Sequence, residues 1–271
     1  MNDMNKETVM PPRIQRHEKI IALVREHGFM PIDTLARELD VTPQTIRRDI
    51  NLLCEENILR RYHGGAALGE SLENEDFLSQ KNKLQSEKAH LADLVAAHIP
   101  DNASLFMSIG TTIEAVAMAL VKNHKNLCII TNNIHVAAIV SGRSDYTVII
   151  TSGVVRPVDG GVTGVATVDF INQFKVDYAV LSASGIEPDG SLLDFDYKEV
   201  SVMQAMMENA RTRYLAADQR KMSRNALVRM GDITEFDVVF ADEAPNEAIH
   251  KKLDEAGVEC VVVGQAAEEQ A

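Results

Sequence analysis

The sequence predicts an α/β protein in two parts: an N-terminal winged helix-turn-helix, then a larger, mostly parallel α/β domain. Three observations carry that reading. Residues 13–68 contain three short helical periodicities and then an alternating stretch with a double glycine. Beyond residue 84, seven short apolar runs alternate with helical stretches. The charge is also divided. Of 27 Lys and Arg and 40 Asp and Glu, residues 13–65 hold nine and eight, whereas the chain from Ala66 holds 17 and 30. A net charge of -13 argues against indiscriminate coating of nucleic acid, yet leaves room for one small near-neutral module that reads it.

Length and composition set the outer bounds. A chain of 271 residues suits two domains, and 45% hydrophobic residues suits a soluble protein with a real core. No apolar run approaches the roughly 18 residues a membrane span needs. Residues 1–12, MNDMNKETVMPP, lack the apolar core of a secretory signal and read as a disordered leader, with Met4 or Met10 as alternative starts. Cys54, Cys128 and Cys260 form no C-x-x-C pair and read as buried free thiols suited to a reducing cytoplasm. The eight histidines show no metal-ligand spacing, so neither metal nor cofactor is expected.

In the front part, RHEKIIALVREH (16–27) places Ile20, Ile21 and Val24 on one helical face, and Gly28 stops the helix. PIDTLAREL gives a second short helix with Leu35 and Leu39 at i,i+4. DVT makes a tight turn, with Thr42 as N-cap and Pro43 at the first helical position. In the third helix, Ile46, Ile50 and Leu53 face inward, which leaves Gln44, Thr45, Arg47, Arg48 and Asn51 outside. ILRRYHGGAAL (58–68) then alternates as a short hairpin or wing does. Arginine can pair with guanine and Gln or Asn with adenine, so this outer face carries donors that a major groove can read. Arg60, Arg61 and His63 in the wing suit phosphates or the minor groove. Asp49 is expected to hold a neighbouring arginine in place. An Arg-Arg pair alone is usually a solvated face. Behind a correctly spaced turn and a basic wing it reads as DNA recognition.

GESLENED (69–76) has few core formers and reads as an exposed linker. A helix near 84–99 opens the rear part. The apolar runs at 104–109, 127–131, 146–151, 177–183, 213–218, 236–242 and 258–263 predict the strands of a mostly parallel sheet. Several runs end in small hydroxyl and amide residues: GTT at 110–112, TNN from Thr131, TSG from Thr151, and SG at 184–185. In open α/β sheets these carboxyl ends line the ligand crevice. Ser108, Gly110, Thr111 and Thr112 offer hydroxyls and backbone N–H groups at a helix start, a cradle for phosphate. The T-x-x-E spacing of Thr111 and Glu114 equally fits a capping box with no ligand. A bound dianion needs a cation, for which Lys198 and Lys221 are the candidates. Asp194, Asp196 and Glu199 read as acids at a helix start rather than as a catalytic cluster. Met203, Met206 and Met207 read as core filler.

PQTIRRDINLL and ENILRRYHGGA resemble the signature of the DeoR family of bacterial transcription regulators. The rear part resembles that family's sensor, which is similar to ribose-5-phosphate isomerase and binds sugar phosphates. IGTTIEAVAMAL, IITNNIHVA, DGGVTGVATVDFINQF, SGIEPDGSLLDFDYKEV and RNALVRMG are similar to family members that answer to glycerol 3-phosphate. The likeness runs from about Gln15 to Asp242. It implies a cytoplasmic, non-enzymatic repressor that binds double-stranded operator DNA as a homo-oligomer, a tetramer, and lets go when glycerol 3-phosphate binds. It places the helix-turn-helix over Met30–Asp49 and the recognition helix over Thr42–Cys54. It makes Ser108–Thr112 the effector loop, with Asn132, Asn133, Gly153, Gly185 and Lys221 at matching positions. Two departures stand out: Ser108 replaces an aspartate common among relatives, and Met203 and Gln204 replace a frequent Lys-Arg. Another cation, Lys198 or Lys221, then has to serve the phosphate. The expected divisions are leader 1–12, DNA-binding domain 13–68, linker 69–83, and effector-binding and oligomerisation domain 84–265. The alternatives are a regulator of another sugar-phosphate pathway, or a sugar-phosphate isomerase with a DNA-binding head.

Overall fold

The computed structural model describes residues 12–56, 58–62, 64–68, 85–222 and 224–264. The expected leader up to residue 11, the linker and His63 lie outside the described residues. The chain divides into two compact units, Met1–Glu73 and Asn74–Ala271.

In the first unit, α1 (Pro12–His27), α2 (Ile32–Glu38) and α3 (Pro43–Glu55) pack on a three-stranded antiparallel sheet of β1 (Phe29–Pro31), β2 (Leu59–Tyr62) and β3 (Gly65–Leu68). Ile20, Val24, Leu35, Ile46, Ile50 and Leu53 are buried together with Leu59 and Ala66. The inward stripes read from spacing are therefore the core. Strand β1 has no sequence signal beyond its length of three; it forms because β3 offers it a ladder, Met30 opposite Ala66. A side chain at Gly65 would collide with the Met30 carbonyl and the Phe29 ring, so the close pairing of these strands requires glycine there.

The second unit is a seven-stranded sheet in which every neighbour pair is parallel. Its strands are β4 (Ser104–Met107), β5 (Cys128–Thr131), β6 (Thr147–Ile150), β9 (Val176–Leu181), β12 (Ala210–Ala217), β14 (Val238–Ala241) and β15 (Glu259–Val262). These are the seven apolar runs. Neighbouring residues on one strand face opposite sides. Leu105 and Met107 join the layer of α4 (Gln85–Ala97), α5 (Thr111–Asn123) and α6 (Ile134–Val140). Phe106 joins α7 (Val165–Ile171), α8 (Tyr197–Glu208) and α9 (Glu247–Ala256) on the other side. Met203, Met206 and Met207 lie in that second core. The sheet order is β15-β14-β12-β9-β4-β5-β6. The connections run outward in one direction from β4 and in the other from β9, so the strand order reverses between these two central strands. Ligands of open α/β sheets sit at the carboxyl ends flanking such a reversal.

Shorter strands not foreseen from sequence complete the unit: β7 (Val154–Val155) with β8 (Val162–Thr163), and β10 (Gly185–Ile186), β11 (Ser191–Asp194) and β13 (Val228–Asp232) in a small antiparallel sheet. The three cysteines are free and half-buried rather than buried. Among the described residues no helix is long and apolar enough to cross a membrane.

Candidate functional site

The first unit presents α3 outward. Thr42 caps it, its hydroxyl accepting from the Thr45 N–H at 3.2 Å, and Pro43 fills the first turn, where no amide donor is required. Gln44, Arg47, Arg48 and Asn51 are exposed and Thr45 is half-exposed. Arg61 of β2 is exposed and donates to Asn51 Oδ1 at 3.0 Å, so Asn51 ties the wing to the helix as well as facing outward. Arg60 is half-buried. Asp49 plays a different part from the one expected. Its carboxylate is buried and holds Arg16 Nε at 2.6 Å and His17 Nε2 at 3.0 Å, both on α1. Burial opposes its ionisation, but those partners hold its pKa below the usual range. It fixes α1 against α3, leaving Arg47 and Arg48 unpinned by it. Helical periodicity could not reveal this, because Arg16 lies 33 residues away.

In the second unit the reversal point gathers charge. Ser108 is fully buried after β4, its N–H bonded to the Val180 carbonyl at 3.2 Å. Gly110, at φ +115, is the N-cap of α5 and supplies no side-chain cap. The capping box Thr111–Glu114 is thus not formed. The Thr111 hydroxyl instead accepts from Lys88 Nζ at 2.6 Å. Lys88, on the first turn of α4, is 5% exposed and also pairs with Asp218 at 3.3 Å, beyond the end of β12. Thr112 donates to the same carboxylate at 3.3 Å. Lys221 donates to Ser182, at the end of β9. Burial of its charged end lowers the Lys221 pKa to about 8, with Asp218 opposing the shift. Burial also works against ionisation at Asp218, yet Lys221, Lys88 and Arg220 bring its pKa down to about 2. Two ammonium groups, one carboxylate and a helix N-terminus therefore meet where the strand order reverses.

Beside them lies a second cluster. Glu199 is fully buried and accepts from Asn132 Nδ2 at 3.1 Å; burial raises its pKa to about 8. Arg156 binds Asp159 at 2.6 Å and Asp196 at 3.2 Å, and lies 3.7 Å from Glu199. Asp194 accepts from Ser184 at 2.8 Å, and its charge is felt by both Lys221 and Arg156, so it stands between the clusters. Of the three acids read as helix-start residues, Asp196 caps α8 and Glu199 lies in its first turn, whereas Asp194 sits before the helix at the end of β11. Asp194 and Glu199 are buried within the cluster. Asn133 caps α6 through its oxygen. Among the described residues, Asn132 Oδ1, Asn133 Nδ2 and Thr151 Oγ1 are buried with no hydrogen-bond partner, all just past the ends of β5 and β6. Orphaned buried polar atoms are uncommon, and here they flank the ion pairs.

Lys198 does not join this assembly; it is exposed and lies over its own neighbour, the Tyr197 ring, at 6.0 Å. Gly153 and Gly185 are packing requirements: a side chain would strike Thr167 at the first and the Arg224 carbonyl at the second. Lys88, Asp218 and Arg156 escaped the sequence reading because each resembles an ordinary surface charge until its distant partner is known.

Family models agree with this division. One for the DeoR-like helix-turn-helix domain matches residues 16–71, and one for the DeoR C terminal sensor domain matches residues 83–243. The chain belongs to the DeoR family. Three relatives match it over most of their own length. This DeoR chain is 46% identical over 239 residues to the glycerol-3-phosphate regulon repressor of Escherichia coli K12, covering 88% of this chain and 94% of the relative. It is 44% identical to the protein of the same name in Haemophilus influenzae, covering 87% and 91%. The HTH-type transcriptional repressor CsqR of Escherichia coli K12 is 38% identical over 91% of this chain and 94% of its own. Ribose 5 phosphate isomerase A from Neisseria gonorrhoeae overlays 52% of this chain and 54% of its own at 13% identity, with a TM-score of 0.39, a likeness that carries no argument.

Proposed function

We propose that this chain is a cytoplasmic transcriptional repressor of glycerol and glycerol 3-phosphate metabolism, released from its operator by glycerol 3-phosphate. The observation that carries the reading is a buried Lys88 bonded to Thr111 at the N-terminus of α5, with Lys221 at the neighbouring end of β9, in a chain whose other unit exposes Gln44, Arg47 and Arg48 on a capped helix. Lys88, Lys221, Thr111 and the first amides of α5 hold the phosphate. Asn132, Glu199 and Ser184, one cluster away, read the hydroxyl end. A protonated Glu199 donates to a hydroxyl oxygen, and the unpartnered Asn132 oxygen accepts from one.

The chain works by binding rather than by turnover, as a homo-oligomer whose paired recognition helices match two operator half-sites. The effector favours an arrangement in which they no longer match. The Asp189 carboxylate is taken up by the Ser191 N–H in its own turn, which leaves it unsuited to act as a base. The test is fluorescence anisotropy with an operator duplex selected on the full chain. Glycerol 3-phosphate should release the DNA, while glycerol and ribose 5-phosphate should not. Release by another sugar phosphate alone would reassign the regulon. Turnover of ribose 5-phosphate would overturn the non-enzymatic reading.

A further inference from the structure

The segment that follows β6 has two sides of different character. On its inner side, Arg156 reaches Asp159, Asp196 and Glu199. The Val162 N–H donates to the Asn132 carbonyl at 2.6 Å, and Gly161 forms a bridge with Asn133. This side faces the buried charges at the strand ends. On its outer side, Val154 is 72% exposed and Val165 78%; Val155 and Ile150 are about half exposed. Val154 stands opposite Thr163, two residues before Val165, so these two share a patch, while Val155, next along the strand, faces the other way. Val154 and Val155 pair with Thr163 and Val162, Ser152 donates to the Ala166 carbonyl at 3.1 Å, and Thr167 donates to the Ser152 carbonyl at 2.7 Å. Monomers seldom leave bulky aliphatic side chains this bare in a group.

The patch is also uncharged. Residues 146–155 and 160–168 contain no Asp, Glu, Lys or Arg, in a chain of net charge -13. Beside them β6 is the last strand of the sheet, and among the described residues nothing pairs with its outer edge. Edge strands are normally guarded by charge, proline or a bulge, and Thr147–Ile150 has neither charge nor proline.

We infer that this outer face is where a second copy of the chain docks, so that one short segment serves as effector wall and subunit interface together. The choice of partner follows from charge. A two-fold contact sets a surface against itself. Across most of an acidic molecule that juxtaposes like charges, but across an uncharged patch it does not. A partner of opposite charge would find nothing here to pair with. The inference rests on the repressor reading, which needs two recognition helices held together. It adds a route for the effector: anything that moves Arg156 or Gly161 moves the interface on the other side of the same residues. Effector binding and subunit association are then linked, and each changes the other by the same factor.

The test uses the full chain. Val154→Asp with Val165→Asp places charge on exposed positions and should leave the far-UV circular dichroism unchanged, with the melting temperature lowered only by the loss of association. Sedimentation should show half the wild-type mass or less. The matching Val154→Lys with Val165→Lys variant should behave likewise, and mixing the two should restore association. Wild-type mass in both variants would overturn the inference, as would a monomeric wild type. Failure of the mixture to associate when each variant is folded would also overturn it. Unchanged mass with a lowered melting temperature would mean that the chain's own residues 69–84 cover the patch, and would overturn it too. Glycerol 3-phosphate affinity, measured on the same samples, separates a wrong interface from a wrong effector.

Discussion

Arg47 and Arg48 project from α3 without contributing to its core, so truncating them tests recognition rather than folding. A good bidentate contact to a base discriminates by ~1–3 kcal/mol, roughly 5- to 150-fold. Arg47→Ala and Arg48→Ala should each weaken operator binding on that scale, read by mobility shift, with effector affinity unchanged. Lys221 gives a second test at the same scale. Its lowered pKa of about 8 means that it sheds its proton between pH 7 and 9, and Glu199, raised to about 8, gains a negative charge over the same window. A phosphate monoester, with its second pKa near ~6, does not change charge there. Both protein changes oppose an anion, so effector affinity should fall about tenfold or more from pH 7 to pH 9. Calorimetry with Lys221→Met should give weaker and flatter binding; an unaltered steep profile would remove Lys221 from the site.

At the scale of elements, α4 matters because its first turn carries Lys88. A lysine there is opposed by the helix dipole and by burial, which lowers its pKa despite Asp218. Nothing about helix stability favours it, so its place points to the cleft. Lys88→Met should cost ~1.5–3 kcal/mol of effector binding, roughly 10- to 150-fold in affinity, with operator binding retained and relieved only at correspondingly higher glycerol 3-phosphate. The elements also explain what could be read in advance. The seven parallel strands were legible as continuous apolar runs, most fully where both faces are covered, as in β4, β5 and β14, and α3 because Thr42 and Pro43 mark its start. The strands β1, β7, β8 and β10 are two or three residues long and exist only through partners elsewhere in the chain. The strand ends were visible as small polar residues. The cations gathered beside them were not, because Lys88 reaches Thr111 across 23 residues and Arg156 reaches Asp196 across 40.

At the scale of the whole molecule, two units with separate cores should melt separately. A ligand at ~100 times its dissociation constant stabilises the state that binds it by about 2.7 kcal/mol, enough to raise the sensor transition by a few degrees. Calorimetry with glycerol 3-phosphate should move that transition and leave the head's in place; a shift in the head alone would contradict the assignment of the cleft.

The carboxylate of Asp218 has a wider consequence. Lys88 is paired with it and Lys221 feels its charge, so at the proposed phosphate site it would be an internal rival for every anion that arrives. Chloride, sulfate and free phosphate must displace a tethered competitor with nothing but charge to offer. A metabolite that also satisfies the hydroxyl-reading side chains gains what they lack. On the proposed reading the resident acid would act as a threshold, keeping the regulator silent to the crowd of anions in a cell and attentive to one.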